Sequence, residues 1–467
     1  MNPTQTSFAA LALKPSTLNT LTQLGYLEMT AIQQEALPAA LAGKDLIAQA
    51  ETGSGKTAVF ALALLANLNQ RRFAVQSLVI CPTRELADQV AAEIRRIARG
   101  DDNIKVIVLC GGVPLRGQGS SLEHGAHIVV GTPGRLIDHL DRGSLQLDSI
   151  NTLVLDEADR MLDMGFLDDI IRIAETCPKD RQTLLFSATY PESIERLAGR
   201  FQNRPIRIQA QTRRTDDAIR EIAYEVRREL DNKTRFETVA LLLRHFRPGS
   251  SLAFCNTRVA CRELTAWLKD QGFDALELHG ELEQWERDQV LARFAGKSVS
   301  VLVATDVASR GLDIDKLEAV ISVDIPADPE VYTHRIGRTA RAGETGLALS
   351  LFDVGELALV RRIETYNNRE IPRGELPALD EAESRPLQAP MITLQIQGGR
   401  KDKIRPGDVL GALTGDAGYA KEQVGKIKVS EICTYVAVDR NIALEAARRL
   451  DAGRIKGKSV RVRALVT

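Results

Sequence analysis

Short, wholly apolar runs alternate with helical patterns along residues 40–360, and polar clusters begin where the runs stop. The runs of the first half lie in DLIAQ, SLVIC, VIVLC, HIVV, TLVL and TLLF. Those of the second are SLAFC, ALEL, SVLVAT, AVISV and GLALSLF. A strand without polar alternation is buried on both faces, the state of a parallel sheet with helices on each side. The spacing therefore predicts an α/β protein with two parallel-sheet domains. Ligand-handling groups in such sheets gather at the carboxyl ends of strands, the place occupied by CPTRE, VLDEAD, FSAT, FCNTR and ATD. The polar stretch 209–218 reads as a joint. Residues 371–390, with four prolines and no periodicity, read as a linker. The expected domains are thus 1–208, 219–370 and 391–467. In the last, the order strand–helix–strand–strand–helix–strand predicts a small α+β domain with a four-stranded sheet and two helices.

A chain of 467 residues exceeds what one core supports. With 44% apolar and 26% charged residues it has a globular composition. No apolar run approaches the ~20 residues of a membrane span, and the start carries no signal-peptide pattern. The six cysteines are scattered without metal-ligand spacing. Reduced thiols in a cytoplasmic protein are expected, and no zinc site. The net charge of −1 conceals an asymmetry. Residues 390–467 carry 15 Lys and Arg against 8 Asp and Glu, while the rest carries 46 against 54. A basic terminal module on an acidic body points to a nucleic-acid contact.

Residues 50–57, AETGSGKT, follow a strand and open a helix. Gly53, Ser54 and Gly55 let backbone N–H groups close on phosphate oxygens, Lys56 reaches the β and γ phosphates, and Thr57 reaches magnesium. Ala50 stands where the strict signature has glycine. At the end of another strand, Asp156 is the candidate magnesium ligand, largely through water, and Glu157 the group that orients or deprotonates the attacking water. His334, Arg338 and Arg341 lie in a basic cluster, HRIGRTAR, in the second half. Guanidiniums at that place would stabilise charge spreading over the γ phosphate, and Arg338 and Arg341, three apart, are expected on one helical face.

In this order the motifs resemble those of the DEAD-box RNA helicases over about residues 8–370. The resemblance implies two tandem RecA-like domains, with ATP and Mg2+ as cofactors and RNA as partner. Phe8, Gly25, Tyr26 and Gln33 are similar to the adenine-reading motif of the family, although Ala31 stands where a proline is usual. Pro82, Thr83, Arg84, Gly111, Gly112, Thr132, Gly134 and Arg135 resemble the RNA-backbone contacts of the first lobe. Thr257, Arg258, Gln284, Arg287 and Thr305 resemble those of the second. Ser187, Thr189 and Arg310 look like the residues that couple ATP state to strand separation, and Asp313 like the ribose contact. Hydrolysis then requires arginines from the second lobe, so RNA and ATP favour one closed state and must be reciprocally coupled.

The ending resembles the RRM-like domain of bacterial members of the family that bind a hairpin of 23S ribosomal RNA, which implies pre-50S particles as the target. Ordinary RRM domains stack bases on aromatics of the two central strands. Here those strands offer only Tyr435. Recognition is instead expected from loops and strand edges bearing Arg400, Lys401, Lys403, Arg405, Lys456, Lys458, Arg461 and Arg463. A solvated or protein-docking module remains the alternative for this domain. For the whole chain the alternatives are another structured RNA target, a DNA translocase of similar fold, or a non-enzymatic RNA chaperone. The residues give no membrane association and no obligate protein partner.

Overall fold

The computed structural model describes the chain apart from residues 1–5, 51–52, 102, 191, 210–218, 228–231, 310–316, 340–344, 380–384 and 467, and apart from the side chain of residue 193. Arg310, Asp313 and Arg341 therefore lie outside the described residues. The chain divides into two compact units, one from the first 213 residues and one from nearly all that follows.

The first unit is a parallel sheet of β1 (Leu46–Gln49), β2 (Ser77–Ile80), β3 (Val106–Leu109), β4 (Ile128–Gly131), β5 (Thr152–Leu155), β6 (Gln182–Ser187) and β7 (Ile206–Gln209), in the order β3-β4-β2-β5-β6-β1-β7. Successive side chains point to opposite faces, and both faces are covered. Leu46, Ala48, Val79 and Val154 enter one core, while Ile47, Leu78, Ile80, Leu153 and Leu155 enter the other. Strand β7 falls outside the predicted runs because it is an edge strand with only Ile208 buried.

The second unit repeats the plan with β8 (Ile219–Glu225), β9 (Ser251–Phe254), β10 (Ala275–Leu278), β11 (Val301–Ala304), β12 (Ala319–Ser322), β13 (Gly346–Phe352) and β14 (Arg373–Gly374). Their order, β10-β11-β9-β12-β13-β8-β14, is the same permutation as in the first sheet. Two differences from expectation stand out. Strand β8 contains the buried Glu221, which breaks any apolar run but is paired with Arg369 and accepts a hydrogen bond from the Tyr332 hydroxyl. Strand β14 lies inside the stretch read as linker 371–390. Two residues are too few to show periodicity, yet Ala223 N–H donates to the Pro372 carbonyl and fixes the segment at the sheet edge.

The same unit carries the small antiparallel sheet of β15 (Met391–Ile396), β16 (Val424–Val429), β17 (Thr434–Asp439) and β18 (Val462–Leu465), ordered β16-β17-β15-β18. Leu394, Ile396, Val436 and Val438 pack under Leu413, Ala446 and Leu450 from its helices. The opposite face, with Thr393, Tyr435 and Ala437, lies against the helix Gln284–Ala295 and the turn after it. Thr393 Oγ1 meets Ser298 Oγ at 2.8 Å, and the Met391 N–H donates to the Lys297 carbonyl. Arg440 joins Asp274 at 2.5 Å, and Lys428 lies 3.7 Å from Asp288. Tyr435 is left 2% exposed. The face on which an RRM-like sheet stacks bases is thus closed by the chain's own helix, which leaves loops and edges for contact.

Candidate active site

Three neighbouring strands, β5, β6 and β1, end together, and each end carries one part of the nucleotide site. After β1 the phosphate loop turns through Gly53 and Gly55, at φ +79° and +95°, and the helix Lys56–Ala66 begins at once. Gly55 is needed twice over. Its backbone is left-handed, and a Cβ would lie 2.5 Å from Gln33 Nε2.

Lys56 Nζ sits 3.3 Å from Asp156 Oδ1, with both side chains almost wholly buried. Burial alone lowers the Lys56 pKa, but Asp156, then Glu157 and Asp159, outweigh it and hold the ammonium above its usual range. Burial raises the Asp156 carboxyl, against the opposing pull of Lys56. Beyond this ion pair with each other, Lys56 Nζ and both Asp156 oxygens have no hydrogen-bond partner among the described residues. Buried charges left this way cost free energy unless a ligand completes them, and polyphosphate with a divalent cation suits this set. No group of three or more His, Cys, Asp or Glu side chains gathers to hold a metal among the described residues. One carboxylate does not make a cage, so Mg2+ would arrive with phosphate and water as its other ligands.

Glu157 has left-handed backbone, φ +53° and ψ +52°, at the start of the helix Ala158–Asp163. A non-glycine residue there is strained, and such strain clusters where side chains must be aimed. Arg160, one turn later, takes its carboxylate at 2.7 Å with both groups buried. Asp159 Oδ2 accepts from the N–H groups of Ala188 and Thr189, each at 2.9 Å, and from Thr189 Oγ1. Burial raises the Asp159 pKa, but these donors and the nearby Lys56 and Arg160 cations more than offset it, and the net shift is downward. The tetrad is therefore fastened directly to the end of β6, where Ser187 is buried.

Of the adenine-motif residues, Gln33 is where expected but is already engaged. Its Oε1 accepts from Thr30 N–H at 2.9 Å and its Nε2 donates to the Gly55 carbonyl at 3.1 Å. It braces the phosphate loop, and each amide atom keeps one further hydrogen-bonding site, a lone pair on Oε1 and a hydrogen on Nε2. Phe8 is a correction. Only 3% exposed, its ring packs in the core with its neighbour Tyr26 in edge contact, so it offers no face to a base. Tyr26 is half-buried, and burial followed by the Glu93 contact pushes its hydroxyl up to about 12.

The residues expected to contact RNA occupy the ends of β2, β3 and β4 in the first sheet and of β9, β10 and β11 in the second. These are the same three adjacent places in the shared topology. Thr83 and Thr257 cap helices in the same way, accepting from Leu86 and Ala260 N–H. Pro82 is buried at the end of β2, whereas Arg84 makes a loose contact with Asp88. Arg135 donates to the Val113 carbonyl and to Gln118, and so steadies the loop after Gly111 and Gly112. Thr132 and Gly134 open the helix that carries it. Arg258 pairs with Glu281, Arg287 donates to the Ala308 carbonyl, and Thr305 is nearly buried at the end of β11.

The helix Pro329–Ile336 corrects another expectation. It ends at Gly337, and Arg338 lies in a turn beyond it while Thr339 bridges to Leu317. Arg338 itself is thus outside the helix, while Arg341, expected on the same face, lies outside the described residues. His334 lies in the helix's last turn, half-buried, and Arg338 is 5% exposed.

Sequence reasoning does not single out Arg160 or Arg335. Arg335 is 1% exposed and grips Asp306 with two bonds of 2.7 Å, Asn256 at 2.8 Å and the Asp324 carbonyl at 2.6 Å. It ties together the ends of β9, β11 and β12. The available signal was the spacing, three residues after Glu157 for Arg160 and three before Arg338 for Arg335. Arg335→Ala empties a buried site and takes the cation from the partly exposed Asp306, and the expected loss is about 3 kcal/mol of unfolding free energy. Denaturant unfolding of the purified variant checks it.

A phosphate loop beside a carboxylate-bearing strand end, followed by a second sheet of identical topology, defines the two-sheet helicase class of ATPases. Residues 30–197 match the DEAD/DEAH box helicase family, 234–343 the helicase conserved C-terminal domain, and 393–464 the DbpA RNA binding domain. The ATP-dependent RNA helicase DbpA of Escherichia coli (strain K12) is 50% identical over 98% of this chain and 100% of its own length. The DEAD-box ATP-dependent RNA helicase CshA of Geobacillus kaustophilus is 42% identical over 81% of this chain and 80% of its own. Among solved structures, S. cerevisiae Dbp5 bound to RNA and ADP BeF3 covers 81% of this chain and 98% of its own at 31% identity, with a TM-score of 0.72. The chain belongs to the DEAD-box ATP-dependent RNA helicases and is of the DbpA type, an enzyme with its own RNA-binding domain.

Proposed function

We propose that the chain opens short duplexes of 23S ribosomal RNA at the expense of ATP during assembly of the large ribosomal subunit in the cytoplasm, directed there by residues 391–467. One observation carries the address. Lys456 Nζ donates to the Lys403 carbonyl at 2.6 Å and Lys458 Nζ to the Asp402 carbonyl at 3.1 Å. These bonds gather two distant basic segments into one exposed edge, on a domain whose sheet face is covered. A clustered cationic edge suits the phosphates of folded RNA.

Within the first unit, Lys56 and the loop N–H groups bind the β and γ phosphates. Thr57 and Asp156 would hold Mg2+, which when bound offsets the phosphate charge. Glu157, aimed by Arg160, orients the attacking water and takes its proton. Arg338 and Arg341 are the guanidiniums assigned to the transition-state charge, and Asp313 to the ribose. Asp159 passes the state of this site to Ser187 and Thr189 through bonds it already makes with Ala188 and Thr189.

Charge reversal at Lys401 and Arg405 tests the address, because both side chains are exposed. The expected result is at least about a tenfold rise in KM for a 23S fragment in RNA-stimulated ATPase, with a shallower salt dependence. Equal stimulation of parent and variant by 23S and unrelated RNA would remove the ribosomal assignment.

A further inference from the structure

The helix Gln284–Ala295 belongs to both halves of the second unit. Its first turn carries Gln284 and Arg287 at the end of β10, and its later turns lie under the small sheet. Contacts along it fix a direction. Lys428 meets Asp288 near the start, and a Cβ on Gly296 would lie 3.0 Å from the Ala437 Cβ just beyond the end. Strands β16 and β17 therefore run along the helix with their connecting turn, residues 430–433, toward Trp285. That turn holds the basic segment, since Arg400 N–H donates to the Ser430 carbonyl and Lys401 N–H to the Glu431 carbonyl. The cations of the RNA-binding domain and the helicase-sheet residues expected to contact RNA thus share one end of one helix.

Trp285 stands at that end, 56% exposed. It is one of two tryptophans in the chain; the other, Trp267, packs against Phe236. Val259 and Val307, the corresponding second residues of the helices after β9 and β11, are also exposed, each at 61%. Apolar surface therefore sits beside Arg258, Gln284 and Thr305, residues of the second sheet assigned to the RNA backbone. The nearby acids are already engaged: Glu281 with Arg258, and Glu283 with Glu286 in a capping box. The amide nitrogen of Gln284 is buried without a hydrogen-bond partner among the described residues.

We infer that Trp285 is a base-stacking platform for single-stranded RNA passing between the small domain's basic edge and the helicase rim. This rests on the RNA-helicase reading and adds to it a specificity-determining side chain. A purely backbone grip tolerates any register, whereas an indole held one turn from the dock sets which nucleotide enters next. Aromatic stacking suits every base, so the preference is for an unpaired nucleotide at a fixed distance from the folded element and not for a sequence.

The test uses the full chain as Trp267→Phe, so that Trp285 alone reports fluorescence, with a ribosomal hairpin bearing a ten-nucleotide single-stranded extension. The extended RNA is expected to quench that emission and the bare hairpin to leave it unchanged. In the otherwise native chain, Trp285→Ala is expected to raise KM for the extended RNA about five- to a hundredfold, with kcat and the KM for ATP retained and Trp285→Phe restoring most of the loss. No quenching at RNA concentrations that saturate ATPase stimulation would overturn the platform and leave the helicase reading standing. Absence of RNA stimulation in the parent would overturn both. Quenching by the bare hairpin would place Trp285 on folded RNA and overturn the single-strand assignment.

Discussion

Glu157→Gln is expected to cut RNA-stimulated ATP turnover by about 10²–10⁴-fold while leaving ATP and RNA binding in place. Glutamine keeps the length and one oxygen of the side chain but cannot take a proton from water. The backbone at this position is already left-handed, and the substitution changes nothing there. Removing the carboxylate also leaves Arg160 buried without its anion, so a loss of about 3–5 kcal/mol in stability should accompany the effect. Because RNA and ATP favour one state, slow hydrolysis should also prolong the RNA complex when ATP is present. Single-turnover hydrolysis and RNA dissociation with ATP and with ADP measure both parts. Turnover within tenfold of the parent would assign the base to another residue.

Arg338→Ala is expected to lower kcat by about 10³-fold or more, with the KM for ATP little changed. An arginine that serves the transition state and not the ground state gives that split. The main chain around it is held independently of the side chain, through Arg338 N–H to the Arg335 carbonyl and the Thr339 bridge to Leu317. The variant should therefore fold. Lysine should rescue little, since a point charge does not reproduce the planar guanidinium fork. A matched fall in ATP affinity would mean that Arg338 binds the ground state instead.

What the sequence revealed depended on how each residue does its work. Strands buried on both faces announce themselves as apolar runs, and eleven of the fourteen parallel strands do so, β8 being interrupted by Glu221. Edge strands such as β7 and β14 cannot, because half their surface is polar or they are two residues long. The phosphate loop was legible because its glycines and lysine act at fixed spacing on one ligand. Arg335 and Arg160 were not, because their function is to join segments distant in sequence or to aim a neighbour, and any buried arginine reads as a surface charge until its partners are placed. Phe8 shows the opposite error: an aromatic in a binding motif can be there to fill the core beneath the site. The closed face of the small sheet was foreshadowed only by its lack of aromatics. What covers it depends on a helix more than a hundred residues earlier in the chain.

Strand release measures most directly whether this chain uses ATP to open short RNA duplexes. The substrate is a 23S hairpin fragment joined to a labelled duplex. Five base-pair steps cost about 7 kcal/mol at ~1.4 per step, within reach of one closure, whereas a duplex of twenty is not. Release of the short strand is expected to require both ATP and Mg2+ and to fall steeply with duplex length. Release that is equally fast without ATP, or no release of the short strand while ATP is consumed, would contradict it.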